Sequence, residues 1–259
     1  MPLLKVENIS YSVVVKKESK KQFDILKNIS FSVEKKEILG ICGESGGGKS
    51  SLAKVIAGII KPDSGKIILT TDQSITRRRS NPIQILFQNH GEVLNPFRKI
   101  KNIIDEALKI SEVEESQISI ERETILNSVG FKRDLYNRRG LELSGGEQQR
   151  AALARLLAVK PLLLIFDEPF SAQDVESQLN FVKLFKKLNN SFNITMICIS
   201  HDLRILRNLA HRIIIIKEGI IVESGSSKEV FTNPKSDYTK FLLSAESLNL
   251  SYEELSALK

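Results

Sequence analysis

Apolar and polar residues alternate along the first third of the chain, the pattern expected of half-buried β-strands. In residues 3–15 the apolar positions include Leu4, Val6 and Ile9. A lysine-rich segment at residues 16–22 follows and predicts an exposed turn. Strands are predicted at residues 3–15, 25–33, 37–42, 66–70 and 82–87, the last two joined through a turn at Arg77–Arg79.

The pattern changes between residues 89 and 158, where strand-like runs give way to acidic helical segments at 99–110 and 117–129. We predict a helical subdomain inserted into an α/β domain. After it, the short apolar run 162–166 lies between two prolines, as expected of a central parallel strand. Alternating elements then complete the α/β part: helices at 175–188 and 202–210, strands at 194–199, 212–216 and 220–222, a capped short helix opening at Ser226, and a helical tail from Tyr238.

Composition places the chain among ordinary soluble proteins, with 259 residues, 41% of them hydrophobic, and a net charge of +7. No apolar run approaches the roughly 18 residues that a spanning helix needs. The N-terminus lacks the charge and apolar layout of a signal peptide, so a cytosolic location is expected. Cys42 and Cys198 each lie in an apolar run and are expected to be buried and reduced. The scattered basic residues are weak support for any partner.

A phosphate-binding loop is the strongest motif in the chain. Residues 43–50 match the pattern G-x-x-x-x-G-K-[ST], with an apolar strand before it and a helix after it. The glycines let backbone amides approach phosphate oxygens, and the start of the helix adds its positive dipole end. Lys49 would contact the β- and γ-phosphates, and the Ser50 hydroxyl would ligate Mg²⁺. The predicted ATP-binding residues are Gly43, Glu44, Ser45, Gly46, Gly47, Gly48, Lys49, Ser50 and Ser51.

Reactive side chains follow three of the predicted strands. Asp167 and Glu168 come directly after strand 162–166, His201 follows strand 194–199, and Gln88 follows strand 82–87. In an open parallel sheet such strand ends share one crevice with the phosphate loop. Asp167 would bind Mg²⁺, Glu168 would act as general base toward water, His201 would be catalytic, and Gln88 would ligate the metal or hold the water.

A glycine pair opens the helix 151–159. In the segment Leu143-Ser-Gly-Gly-Glu-Gln-Gln-Arg150, Ser144 and Glu147 form a capping-box pattern. A capping box does not need Gly145 and Gly146, which weaken a helix. The glycines therefore suggest close approach of a phosphate group.

Together these motifs resemble the ATP-binding cassette (ABC) ATPases, over nearly the whole chain and in the family's order. The resemblance implies one ABC ATPase domain, α/β in class. Its P-loop NTPase (RecA-like) core, residues 1–88 and 159–232, would carry an antiparallel β subdomain. A helical signature subdomain (89–158) would be inserted and a helical tail (233–259) would follow. It further implies that Tyr11 stacks on adenine, that Gln88 couples the site to a membrane partner, and that Asp174 closes the loop Ser171-Ala-Gln-Asp174.

The same resemblance implies partners. Ser144, Gly145, Gly146 and Glu147 would bind the γ-phosphate held by a second cassette, so that two chains enclose two ATP molecules. Segments such as Leu94-Asn-Pro-Phe-Arg98 and Phe231-Thr-Asn-Pro234 look like the peptide and nickel importer ATPases. Such a subunit would lie at the cytoplasmic face of the membrane, bound to two permease subunits. An extracytoplasmic substrate-binding protein would take part indirectly, and no nucleic acid is expected.

Three positions depart from the family's pattern: Asn89-His90 after the glutamine, Gln173 in place of leucine, and Glu147 in place of the commoner glutamine. The first leaves the coupling partner open. An alternative is a soluble ABC ATPase acting on nucleic acid or ribosomes, motivated by the basic charge. A phosphate-loop kinase is a third possibility, but it leaves residues 143–147 and His201 unexplained.

Overall fold

The computed structural model describes residues 1–17, 19–71, 80–87, 94–169 and 174–245, with the backbone alone for 15–21. Two β-sheets and a group of helices make up the described part. The strands are β1 (Leu4–Lys17), β2 (Ser19–Val33), β3 (Ile38–Cys42), β4 (Ser64–Leu69), β5 (Ile83–Leu86), β6 (Leu163–Asp167), β7 (Thr195–Ile199), β8 (Arg212–Lys217) and β9 (Ile220–Ser226).

Helices connect the strands, and three of them lie between β5 and β6. They are α1 (Lys49–Ile56), α2 (Ile100–Ile110), α3 (Glu115–Ser128), α4 (Gly145–Ala158), α5 (Val175–Phe192), α6 (Leu203–Leu209) and α7 (Ser227–Thr232), with a C-terminal helix over residues 237–245. Most of these bounds lie within a few residues of those predicted. Among the described residues, none of the helices is long and apolar enough to cross a membrane.

The larger sheet has six strands in the order β5-β6-β7-β3-β8-β9. The first five are parallel, and β9 pairs antiparallel with β8. A smaller antiparallel sheet has the order β2-β1-β4. This arrangement confirms the predicted fold class, an α/β core with an antiparallel sheet and helices between β5 and β6.

The central strands are apolar on both faces, because each face of the larger sheet is covered. In β3, Ile38 and Cys42 face a core shared with helices α2 to α6, whereas Leu39 and Ile41 face a core shared with α1 and the smaller sheet. All five residues of β3, of β6 and of β7 are buried. These strands are short and almost wholly apolar, with Thr195 and Asp167 at strand ends, as expected for covered parallel strands.

The predicted turn at residues 16–22 is wrong. Strand β1 continues to Lys17 and β2 begins at Ser19, and the two remain paired to the tip. The last described side chains before the tip are exposed: Val14 is 53% and Phe23 is 44% accessible. Backbone pairing does not require apolar side chains, so a lysine-rich run can form paired strands as well as a turn. The predicted turn at Arg77–Arg79 lies outside the described residues.

Candidate functional site

The phosphate loop joins the end of β3 to the start of α1. Its glycines are required sterically at two points. A Cβ on Gly43 would lie 2.0 Å from the Ile216 carbonyl oxygen, and one on Gly48 would lie 2.6 Å from that of Ile25. Gly48 also has a φ of +93°, a region that L-residues other than glycine rarely occupy. The loop is therefore packed tightly against β2 and β8.

Lys49 and Ser50 lie at the first turn of α1. The Lys49 side chain is buried, and its ammonium donates to the carbonyl oxygens of Gly43 (2.7 Å) and Glu44 (2.8 Å). The Ser50 hydroxyl donates to Asp167 Oδ1 at 3.0 Å. The structure thus brings a cation, a hydroxyl and a carboxylate together at the loop.

Asp167 ends β6, two strands from β3 in the sheet. Burial raises the pKa of its carboxyl group, and the Ser50 hydrogen bond with the positive charges of Lys49 and Lys54 opposes that rise. Carboxylate and hydroxyl oxygens are the ligands that Mg²⁺ prefers, so Ser50 and Asp167 suit the metal chemically. Gln88, the third predicted metal ligand, lies outside the described residues.

Glu168 and His201 meet directly. His201 Nδ1 lies 2.9 Å from Glu168 Oε2, within hydrogen-bond distance. Glu168 adopts a left-handed backbone conformation, with φ of +51°, and its amide donates to the Ile199 carbonyl at the end of β7. Non-glycine residues in this conformation cluster at functional sites. The carboxylate is 20% exposed and the imidazole 62% exposed, so both are open to a ligand.

A cavity of roughly 450 Å³ lies over the loop. Glu168 contributes to its wall, as does Ile25 of β2. Tyr11 is partly exposed on β1, where its register partner is Leu26, the residue after Ile25. The described residues that line the cavity are Ile25, Ser45, Gly46, Gly48, Lys49, Ser50, Ser51 and Glu168.

The predicted signature residues are not among those that line this cavity. Ser144 and Glu147 form a complete capping box at the start of α4: the Ser144 amide donates to Glu147 Oε2 (2.8 Å) and the Glu147 amide to Ser144 Oγ (3.4 Å). A Cβ added to Gly145 or Gly146 would contact none of the described residues within 4 Å. In the described part of the chain, packing therefore gives no reason for the glycine pair.

Asp174 caps the start of α5, where its Oδ1 accepts the amide of Ser177 at 2.9 Å. The preceding residues 170–173, including Gln173, lie outside the described part. His211 is structural, since its Nδ1 accepts the Ile38 amide at 2.9 Å.

Two contacts were not predicted from the sequence. The buried side-chain amide of Gln149, in α4, donates to the Pro169 carbonyl at 2.9 Å. This hydrogen bond connects α4 to the loop after Glu168. The hydroxyl of Tyr238 accepts the amide of Glu44 in the phosphate loop at 3.0 Å. Gln149 lies three residues after the glycine pair, so the sequence could have indicated a role for it. No local sequence pattern indicates the contact of Tyr238.

These features define a nucleotide-binding cassette: a phosphate loop, an adjacent carboxylate, an acid–histidine pair and a capped glycine helix. A family model described as "ABC transporter" matches residues 26–171, more than half of the chain. The chain belongs to the ABC transporter family of ATP-binding proteins.

Named relatives agree with that assignment. The chain is 36% identical over 253 residues to the uncharacterized ABC transporter ATP-binding protein YejF of Escherichia coli, across 93% of this chain and 48% of YejF. It is 34% identical over 251 residues to a putative peptide import ATP-binding protein of Brucella ovis, across 94% of this chain and 78% of that protein. The chain thus spans about half the length of YejF.

A solved structure of similar fold is cbiO1 from Clostridium perfringens, described as part of the ABC transporter complex cbiONQ. It matches with a TM-score of 0.77 and 25% identity, and the match covers 99% of this chain and 98% of cbiO1.

Proposed function

We propose that this chain binds and hydrolyses ATP as the ATPase subunit of a membrane importer for peptides or metal chelates. The observation that supports hydrolysis most is the hydrogen-bond distance of 2.9 Å between Glu168 and His201, at the edge of the phosphate-loop cavity. A nucleotide-binding site alone needs no such pair. A hydrolase needs a base that is held in place beside the γ-phosphate.

In the proposed reaction, the Lys49 ammonium moves from the carbonyls of Gly43 and Glu44 to the phosphate oxygens. The Glu168 carboxylate takes a proton from a water molecule, whose oxygen attacks the γ-phosphorus as the bond to the β–γ bridging oxygen breaks. His201 holds the Glu168 carboxylate in the position from which it can take the proton of this water molecule. Ser50 and Asp167, with Gln88, would hold Mg²⁺, which neutralises charge on the phosphates when bound.

We propose that the active form contains two cassettes. Ser144, Gly145, Gly146 and Glu147 would complete the nucleotide site of a second chain, as the unobstructed glycine pair allows. Tyr11 would stack on adenine. Asp174 would belong to the loop that faces the partner cassette. The second cassette is another copy or a related chain.

The substitution Glu168→Gln tests the base. We expect binding of ATP with Mg²⁺ to persist, hydrolysis to fall on the order of 10²- to 10⁴-fold, and an ATP-dependent dimer to accumulate in size-exclusion chromatography with light scattering. Glu115→Gln is the matched control, because it removes one carboxylate from an exposed pair with Lys109 in the helical part. Loss of hydrolysis without any ATP-bound dimer would count against the assigned role.

The permease partners would contact the surface formed by residues 94–98 and α2. Phe97 is 72% exposed there, and Arg98 pairs with Glu106 across it. A wide groove of roughly 800 Å³ runs along this face. Transfer of residues 89–98 into a related cassette should change which permeases co-purify with it. Unchanged partner choice would refute the assignment of this surface.

Transport itself is tested by uptake in cells lacking the gene. The wild-type chain and Glu115→Gln should restore uptake of a labelled oligopeptide or of nickel, and Glu168→Gln should not. Restoration of one cargo alone would identify the class of substrate. Restoration of neither would contradict the importer function.

A further inference from the structure

The C-terminal helix, residues 237–245, lies against the phosphate loop although the two are far apart in sequence. Leu242 and Leu243 of this helix pack against the core cluster that contains α2, α3 and α4. At its first turn, Tyr238 lies half-buried, and its hydroxyl accepts the Glu44 amide at 3.0 Å across 194 residues of sequence. The Lys217 ammonium lies 5.0 Å from the centre of the Tyr238 ring.

A single carboxylate holds the start of this helix in place. Glu223 on β9 accepts the amide of Lys235 at 2.9 Å with one oxygen and the amide of Ser236 at 3.0 Å with the other. Both amides lie just before the helix, where free N–H groups need acceptors. Glu223 therefore fixes the position from which Tyr238 reaches the loop.

The peptide unit that Tyr238 holds is also the one that anchors Lys49. The Lys49 ammonium donates to the carbonyl of Gly43, which belongs to the same peptide unit as the Glu44 amide, and to the carbonyl of Glu44 in the next unit. The Ile216 carbonyl of β8 also lies against this point and leaves no room for a Cβ on Gly43. The start of the loop is thus held by three parts of the chain: β8, Lys49 and Tyr238.

Binding of nucleotide must release one of these contacts, since the Lys49 ammonium would turn to the phosphates. The Glu44 peptide then depends on Tyr238 and β8 for its position. Burial raises the pKa of the Tyr238 phenol, so the hydroxyl keeps its proton and is neutral at physiological pH. A loop that is already ordered loses less conformational freedom when it binds a ligand.

We infer that Tyr238, set by Glu223, is a positioning residue that orders the phosphate loop for nucleotide. This inference rests on the proposed ATP-binding function. Tyr238 is not among the described residues that line the phosphate-loop cavity. It therefore acts on nucleotide affinity, with little effect on the chemical step.

The test compares Tyr238→Phe with wild type. The ring stays and the acceptor oxygen is lost, so we expect KM and Kd for ATP with Mg²⁺ to rise roughly three- to tenfold, the range for one hydrogen bond, with kcat within twofold. Hydrogen exchange of the Glu44 amide should become faster. Glu223→Gln keeps the side-chain shape, weakens the two backbone contacts, and should shift affinity in the same direction.

Tyr136→Phe is the matched control. Its hydroxyl lies 3.4 Å from Asn127 Oδ1 in the helical part, and its side chain is buried. This variant should leave ATP affinity and exchange of the Glu44 amide unchanged. Thermal unfolding of all variants shows whether each remains folded.

The outcomes separate the two proposals. If wild type does not bind ATP, both the proposed function and this inference are wrong. If wild type binds ATP and Tyr238→Phe binds equally well, the inference alone is overturned. A fall in kcat at constant KM would also overturn it, because Tyr238 would then act on the chemistry.

Discussion

Gly145 and Gly146 are the first two residues of α4, where the fold gives no reason for glycine. Neither has a positive φ, and an added Cβ would meet no atom of the described residues within 4 Å at either position. Glycine at a helix start is less favourable than alanine by up to about 1 kcal/mol. Within one chain, then, alanine would be the better residue, and the glycines point to a group that approaches from outside.

We predict that Gly145→Ala and Gly146→Ala leave the free energy of unfolding unchanged or raise it. Hydrolysis should nevertheless fall on the order of a hundredfold, the cost of displacing a reacting group by about 1 Å. Urea denaturation and a phosphate-release assay measure the two effects. Ser116→Ala, at the matching exposed position of α3, is the control and should not change hydrolysis. Normal hydrolysis in both glycine variants would contradict the approach of a phosphate.

Much of the site could be predicted from individual residues, because its side chains lie at or directly after the ends of strands. Gly43, Asp167 and His201 each follow an apolar run, and parallel strands place their carboxyl ends along one edge. The direct contact of Glu168 with His201 could not be predicted, since it depends on the left-handed backbone of Glu168. No pattern reveals Tyr238 either, because its partner lies 194 residues away.

At the level of elements, helix α4 carries a charge-dependent cap. The pKa of Glu147 lies below its ordinary value of 4.5, first because the backbone amide of Ser144 donates to its carboxylate. A depressed pKa in the folded state means that the charge stabilises the protein above pH 4.5. That stabilisation is lost as the pH falls through the folded-state value.

We therefore predict that Glu147→Gln lowers the free energy of unfolding at pH 7 by about 0.5 kcal/mol. The difference from wild type should vanish below the folded-state pKa of Glu147, where both side chains are neutral. Urea denaturation as a function of pH measures it. Ser144→Ala, which removes the hydroxyl acceptor of the Glu147 amide, should destabilise by about 1 kcal/mol at pH 7. Part of that loss should persist in acid, because the hydroxyl accepts this amide whether or not Glu147 is charged. A difference for Glu147→Gln that persists in acid would show that charge is not the cause.

The extent of the β1–β2 hairpin shows where prediction of elements failed. Periodicity identifies strands by burial on one face, and the last described side chains before the hairpin tip, Val13, Val14 and Phe23, are all exposed. The continuous ladder to Lys17 and Ser19 is a property of the backbone. Buried elements such as β3 and β6, in contrast, were predicted within one or two residues.

At the level of the whole molecule, residues 144–147 do not line the phosphate-loop cavity, and we propose that a second chain completes the nucleotide site. We predict that ATPase activity per chain rises with protein concentration and then reaches a plateau. Steady-state phosphate release across a dilution series measures this, with light scattering to report the dimer. Constant activity per chain in dilutions that are fully monomeric would show that one chain suffices.

The two thiols, Cys42 and Cys198, lie in neighbouring central strands of the larger sheet and are 1% and 0% exposed. Burial raises the pKa of the Cys198 thiol, so its reactive thiolate is scarce while the sheet is closed. Neither cysteine forms a disulfide, and because both are buried they can be alkylated only when the sheet opens. Their rates of alkylation therefore report how often the larger sheet opens. Cys42 directly precedes the phosphate loop, so ATP with Mg²⁺ should slow its alkylation, as mass spectrometry of the modified peptides would show.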